Sequence, residues 1–152
     1  MFRRIFALML LCLFLAGCSA PENAPVELTD ETAVYEGEGY TLTYPACFEL
    51  VGKTANMVNF AVPGGHMAFT ITAEDNPYGA REIEEYPELM GIYSGVEILN
   101  AHSFGVDKFK EDFLSAYYLY TMTEDTTYLL EYNFGGTKEQ RAMAKLFQVE
   151  VE

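Results

Sequence analysis

Alternating apolar and polar positions along the chain predict that it is built mainly from β-strands. Residues 39–44 are rich in β-forming side chains and stop at Pro45, which cannot donate to a strand ladder. In residues 127–134 every second side chain is large and apolar, which is the period of a strand with one buried face. The further predicted strands are 57–62 and 66–73, joined by Pro63-Gly64-Gly65, then 96–104, and then 115–123, which turns into 127–134.

Two segments have helical signals. Asn76 followed by Pro77 is typical of a helix start, and we expect that helix to break at Pro87. Thr137 and Gln140 fit a capping box, and an apolar stripe follows them at three- and four-residue spacing. Strands in runs, with helices that do not strictly alternate with them, predict an α+β fold with a mainly antiparallel sheet.

The first residues have the pattern of a bacterial lipoprotein signal. Arg3 and Arg4 precede an apolar run that is too short for a spanning helix, which needs roughly 20 residues. Leu15-Ala16-Gly17-Cys18 then matches the lipobox, in which the cysteine carries the lipid. We therefore predict a cleaved signal over 1–17, a lipidated Cys18 with a flexible tether over 18–33, and one domain over 34–152. The predicted location is the extracytoplasmic side of a bacterial membrane.

Residues 39–48, Gly-Tyr-Thr-Leu-Thr-Tyr-Pro-Ala-Cys-Phe, resemble the opening strand of PsbP-like domains. The end of the chain is similar to that family as well, with an aromatic hairpin, then a helix and a short final strand near 148–151. The resemblance implies an antiparallel sheet flanked by helices, the α/β/α sandwich that PsbP shares with Ran-binding nuclear import factors. It also implies a role in binding other proteins rather than in catalysis, and it identifies no binding residue.

The charge of the mature chain excludes nucleic acid as a partner. Removal of Arg3 and Arg4 leaves seven of the nine basic residues against twenty-three acidic ones, a net charge of −16. Nucleic-acid binding depends on Lys and Arg neutralising phosphates. The lipid on Cys18 is thus the predicted attachment to the membrane, and an envelope protein is the predicted partner.

Candidate chemistry is sparse. Cys47 is the one thiol left after Cys12 and Cys18 are accounted for, and pairing it with His66 or His102 would be needed for a nucleophile. We interpret the two histidines as structural or surface residues and Cys47 as a small apolar core residue, and we predict no cofactor. Ca²⁺ is the open alternative, because carboxylates gather near one strand end and the helix after it: Glu74, Asp75, Glu82 and Glu85.

Tyrosines on the 115–134 hairpin are the other candidates for a site. If both faces of the sheet are covered, these rings are core; if one face is bare, they make an aromatic platform for a peptide or a sugar. The four residues in question are Tyr118, Tyr120, Tyr128 and Tyr132. The first hypothesis is therefore a non-catalytic protein-binding module, the second a surface receptor for a small ligand or sugar, and the third a hydrolase.

Overall fold

A computed structural model describes residues 28–109 and 115–151. Within these ranges no helix is long and apolar enough to cross a membrane. The strands are β1 (Thr32–Glu36), β2 (Tyr40–Pro45), β3 (Glu49–Lys53), β4 (Met57–Ala61), β5 (Ala68–Asp75), β6 (Val96–Ile98), β7 (Ser103–Phe109), β8 (Ser115–Met122), β9 (Thr126–Phe134) and β10 (Gln148–Val151). The helices are α1 (Glu85–Leu89), α2 (Lys138–Ala142) and a 3-10 turn at Met143–Leu146.

The strands form two antiparallel sheets. The seven-stranded sheet has the order β3-β4-β5-β9-β8-β7-β6, and the three-stranded sheet has the order β1-β2-β10. The three-stranded sheet and the 3-10 turn pack on what we call the inner face of the seven-stranded sheet. The core between the sheets is aromatic, and Phe60 stacks on its cross-strand partner Phe69 at a centroid distance of 4.6 Å.

The opposite, outer face of the seven-stranded sheet is covered only in part. Residues 76–92, which include α1, place Ile83 and Tyr86 against Phe104 and Tyr120 of β7 and β8. The rest of this face, on β4, β5 and β9, includes half-buried polar side chains. There the Thr70 hydroxyl donates to Asn59 across the strands at 2.7 Å. One small apolar layer and one polar surface therefore share the outer face.

The predicted α/β/α sandwich is wrong. The inner face of the seven-stranded sheet is covered by β1, β2 and β10, and the described residues hold two α-helices of five residues each. Helices this short cannot form the two outer layers that such a sandwich requires. The fold that the PsbP resemblance implied is corrected to two packed antiparallel sheets, while the resemblance itself stays untested.

At the level of elements, the strands β2, β4, β5, β8 and β9 and the capping box at Thr137 are confirmed. The single strand predicted over 96–104 is instead a hairpin, β6 and β7, closed by a bond from the Leu99 amide to the Ser103 carbonyl at 2.9 Å. β1 and β3 were not predicted, and β1 begins at Thr32, inside the range predicted as tether.

The helix predicted to begin at Pro77 is also wrong. Asn76 accepts a bond from the Tyr78 amide at 3.0 Å, which makes a turn rather than a helix start. Its amide nitrogen donates to the Thr123 carbonyl at 2.7 Å and so ties this segment to the β8–β9 turn. Pro87 lies in the first turn of α1, where its missing N–H costs no helical bond.

Candidate functional site

The three-stranded sheet is narrower than the sheet it covers, and a cleft lies beside it. β10 ends the three-stranded sheet in the described part of the chain, whereas the seven-stranded sheet continues past β8 to β7 and β6. The cleft between them has a volume of about 470 Å³. Gln148, Val149 and Glu150 of β10 line one side of it, so the unpaired edge of a strand faces the opening.

The floor of the cleft is apolar and its rim is charged. Leu119 of β8 and Phe147, just before β10, are buried beneath it, and Leu99 at the rim is 43% exposed. Glu97 and Lys145 carry opposite charges on the lining. An apolar floor with a few polar groups at its border is the usual composition of a binding site.

Arg141 is held in a fixed position at this cleft. Its Nε contacts Asp107 Oδ1 at 2.5 Å, and its Nη2 donates to Asp107 Oδ2 at 2.7 Å, so the pair is bidentate. Its Cζ lies 4.7 Å from the ring centroid of Tyr117, which adds a cation–π contact. Since a guanidinium has five N–H donors, the Asp107 pair leaves further donors for a ligand.

The electrostatic environment fixes the charge state of these groups at neutral pH. The hydrogen bond that Arg141 donates to Asp107 raises the pKa of the guanidinium, which therefore stays charged. Burial raises the pKa of Tyr117 to about 12, although the nearby Arg141 opposes this shift. The cleft therefore presents a charged guanidinium, already partly neutralised, beside a neutral phenol.

A glycine makes room for the Tyr117 ring. A Cβ added at Gly105, on the neighbouring strand β7, would lie 2.1 Å from the Tyr117 hydroxyl oxygen. The ring therefore lies directly over the glycine, and a side chain at that position is incompatible with it. A larger residue at position 105 would displace the Tyr117 ring and, with it, the Arg141 guanidinium that packs on that ring.

The four tyrosines proposed from the sequence lie on opposite faces of the sheet. Tyr128 and Tyr132 belong to the core between the sheets, while Tyr118 and Tyr120 lie on the outer face. Tyr120, Tyr128 and Tyr132 are buried, and Tyr118 is half-buried beneath the Lys108 ammonium, 4.5 Å from its ring centroid. The structure therefore gives these rings no common surface, and ligand binding by them stays a prediction.

The four proposed cation ligands are exposed and lie on two segments. Glu74 and Asp75 end β5, whereas Glu82 and Glu85 lie before and at the start of α1. Across residues 28–109 and 115–151, no group of three or more His, Cys, Asp or Glu side chains could hold a metal ion. Binding of Ca²⁺ stays a prediction, and the described residues do not bring these four carboxylates together as metal ligands.

Cys47 is half-buried against the core, and this burial raises the pKa of its thiol. His66 and His102 are exposed, and in the described part of the chain neither is bonded to Cys47. Cys18, the predicted signal and most of the predicted tether lie outside the described residues.

The sequence interpretation missed the cleft. Asp107 and Arg141 are far apart in sequence and belong to a strand and a helix whose contact is set by packing. The capping box at Thr137 is the one sequence signal near them, since it places Arg141 in the last turn of α2.

Comparisons with known proteins add a likeness of fold. No family model matches the sequence, and no curated protein matches it significantly. A protein from Bacteroides thetaiotaomicron VPI-5482, solved by crystallography at 1.50 Å, is similar with a TM-score of 0.50 and 15% sequence identity. The alignment covers 80% of this chain and 48% of that one, so this chain spans about half the length of the Bacteroides protein. At this identity the two share a fold, and the likeness extends no further.

Proposed function

We propose that the protein is a bacterial lipoprotein that acts as a non-catalytic protein-binding module on the extracytoplasmic side of the membrane. The lipobox Leu15-Ala16-Gly17-Cys18 supports the anchor, and its cysteine would carry the lipid. The net charge of −16 after signal removal supports a partner other than nucleic acid. The anchor would hold near the membrane a domain that anionic headgroups repel.

The observation that carries the binding role is the edge of β10 beside the cleft, with which no strand of the described residues pairs. A strand edge presents a row of backbone N–H and C=O groups that can pair with another chain. Here that edge borders a space of about 470 Å³ with an apolar floor. An extended segment of an envelope protein would add as a fourth strand to the three-stranded sheet, with alternate side chains directed at Leu119 and Phe147.

Arg141 and Tyr117 at the cleft are suited to binding rather than to acid–base catalysis. A catalytic acid or base works best with a pKa near the operating pH. Tyr117, with a pKa raised to about 12, and Arg141, with its pKa raised by Asp107, are both far from that range. They are suited to orienting a bound chain, the guanidinium by its remaining donors and the phenol by its hydroxyl.

A matched pair of substitutions tests this proposal in a soluble form that begins after Cys18. Leu99→Glu places a carboxylate at the rim of the cleft, and Leu89→Glu makes the same change on α1, away from it. The two side chains are 43% and 45% exposed, so neither change should disturb the core. Each form is used to capture partners from detergent-solubilised envelope.

We expect a partner that the unchanged protein and Leu89→Glu both retain and that Leu99→Glu loses. We also expect that partner to slow hydrogen exchange of the amides of residues 148–151, because strand addition would bond that edge. Equal capture by both variants, or protection elsewhere than β10, would contradict the proposed site. Absence of any specific partner would contradict the proposed function itself.

A further inference from the structure

A second concave site lies at one end of the two sheets and shares no lining residue with the cleft. It is formed by the β1–β2 turn at residues 37–39, the β3–β4 turn at residues 54–56 and the adjoining ends of β5 and β9. Its volume is about 400 Å³, within the range of about 300–1,000 Å³ typical of small-molecule sites. Because Tyr35, Tyr40 and Tyr128 line it, we call it the tyrosine cup.

In the tyrosine cup the Tyr40 ring contacts the rings of both Tyr35 and Tyr128. The centroids of Tyr35 and Tyr40 are 6.3 Å apart, and those of Tyr40 and Tyr128 are 5.0 Å apart. Burial raises the pKa of Tyr40 to about 12, and the neighbouring phenols of Tyr35 and Tyr128 add to the shift. At neutral pH Tyr40 is therefore an uncharged phenol that can both donate and accept a hydrogen bond.

The hydrogen bonding of the cup is incomplete. The Tyr128 hydroxyl has only long contacts, 3.4 Å to the carbonyls of Glu38 and of Gly39. The Tyr35 hydroxyl oxygen is buried from solvent, and residues 28–109 and 115–151 give it no hydrogen-bond partner. Since nearly all buried polar atoms in native proteins are bonded, an unbonded one is available to a water molecule or to a bound ligand.

Lys53 lines the mouth of the cup, and its side chain is exposed. Its ammonium is 5.6 Å from the ring centroid of Tyr35, and the geometry of the described residues gives no hydrogen bond between the two groups. The side chain is exposed and flexible, so a ligand can displace it and reach the Tyr35 hydroxyl.

We propose that the tyrosine cup binds a saccharide, a neutral ring ligand with several hydroxyl groups. Sugar hydroxyls both donate and accept, as the phenols of the cup do, and the C–H faces of a sugar ring pack on aromatic rings. Glu38 and Lys53 flank the mouth with opposite charges, which favours neither a cation nor an anion. The net charge of −16 of the mature chain further disfavours an anionic ligand.

The test uses the soluble form that begins after Cys18, with maltose, cellobiose and N,N′-diacetylchitobiose as probes. The sequence contains no tryptophan, so intrinsic fluorescence reports on tyrosine alone. We expect saturable binding of at least one disaccharide, with shifts in the nuclear magnetic resonance signals of the Tyr35, Tyr40 and Tyr128 rings. No saturable binding, or shifts confined to other tyrosines, overturns the proposal.

Tyr35→Phe removes only the hydroxyl that lacks a partner. Because that hydroxyl makes no bond in the free protein, we expect no loss of thermal stability, but a roughly tenfold weaker saccharide affinity, as for one lost hydrogen bond. The control is Tyr93→Phe, the same change at a tyrosine that is 82% exposed and does not line the cup. Equal affinities of Tyr35→Phe and the unchanged protein would overturn the proposal even if a disaccharide binds.

Discussion

Because Gly105 has no side chain, it leaves room for the ring of Tyr117, which lines the cleft. We predict that Gly105→Ala destabilises the protein by roughly 1–3 kcal/mol, the usual cost of overpacking, because the new methyl group would collide with the Tyr117 ring. Urea unfolding measures this cost. In a Tyr117→Leu background the same change should cost less, since the ring that collides has been removed.

Gly52 provides the control for that substitution. A Cβ added there has no neighbour closer than the Asn59 side-chain nitrogen at 3.6 Å, so Gly52→Ala should be neutral or slightly stabilising. Equal losses at the two glycines would show that the Tyr117 contact is not what makes Gly105 necessary.

The buried phenols of Tyr40 and Tyr117 should lower the stability of the protein at alkaline pH. The pKa of a free tyrosine is 10.0, and burial raises the pKa of Tyr40 and of Tyr117 to about 12 in the folded protein. Stability from keeping these rings neutral is therefore complete below pH 10 and is lost as pH rises towards 12. We predict that the free energy of unfolding falls over this interval, in parallel with the tyrosinate absorbance. A flat profile between pH 10 and 12 would contradict the burial of these hydroxyls.

Some of these residue-scale features can be predicted from sequence and others cannot. The period-two pattern of Tyr128, Leu130 and Tyr132 predicts a shared face, because alternation depends only on the strand itself. The Arg141–Asp107 pair and the Gly105–Tyr117 contact depend on which elements become neighbours. No local sequence pattern predicts which elements become neighbours in the fold.

At the scale of elements, helix α2 carries both the capping box predicted from the sequence and Arg141 of the cleft. The Thr137 hydroxyl accepts from the Gln140 amide at 3.1 Å, and the Gln140 side chain closes the capping box. We predict that Thr137→Ala costs about 1 kcal/mol and loosens Arg141, which lies in the last turn of this helix. Thermal unfolding measures the loss of stability, and Thr137→Ser, which keeps the hydroxyl, should restore most of it. A full loss in the serine variant would argue against the cap as the cause.

The elements that the sequence missed share a physical reason. β3 carries Leu50 and Val51 on an exposed edge, and a register shift next to them breaks the alternation that would mark a strand. Asn76 resembles a helix cap because its side chain bonds a nearby amide, but here the same chemistry makes a turn. Turn and cap use identical groups, so tertiary contacts decide between them.

At the scale of the whole molecule, the expected helical layers were wrong because a second sheet replaces one of them. That sheet exists only because β1 and β10, from distant parts of the chain, both pair with β2. Strand propensity can suggest each strand, but it does not specify which strands join which sheet. The partly bare outer face follows from the same arrangement, since residues 76–92, with one short helix, pack mainly on β6 to β8.

The proposed lipid anchor also belongs to the scale of the whole molecule. We predict that cells fed an alkyne-bearing fatty acid transfer the label to the full chain and that Cys18→Ala abolishes it, because only the cysteine of the lipobox can carry the thioether. Cys47→Ala should keep the label and serves as the control. Labelling that survives Cys18→Ala would exclude the proposed attachment.

β2 is the central strand of its sheet, and this position affects when folding can be completed during synthesis. Its partner β10 is synthesised only after every strand of the seven-stranded sheet, so the core between the sheets cannot close until then. Contacts so distant in sequence form slowly, because a long loop must be ordered before they stabilise anything. For a chain exported as we propose, this delay would be useful: a polypeptide threaded through a membrane pore must remain unfolded, and here the closing strand arrives almost last.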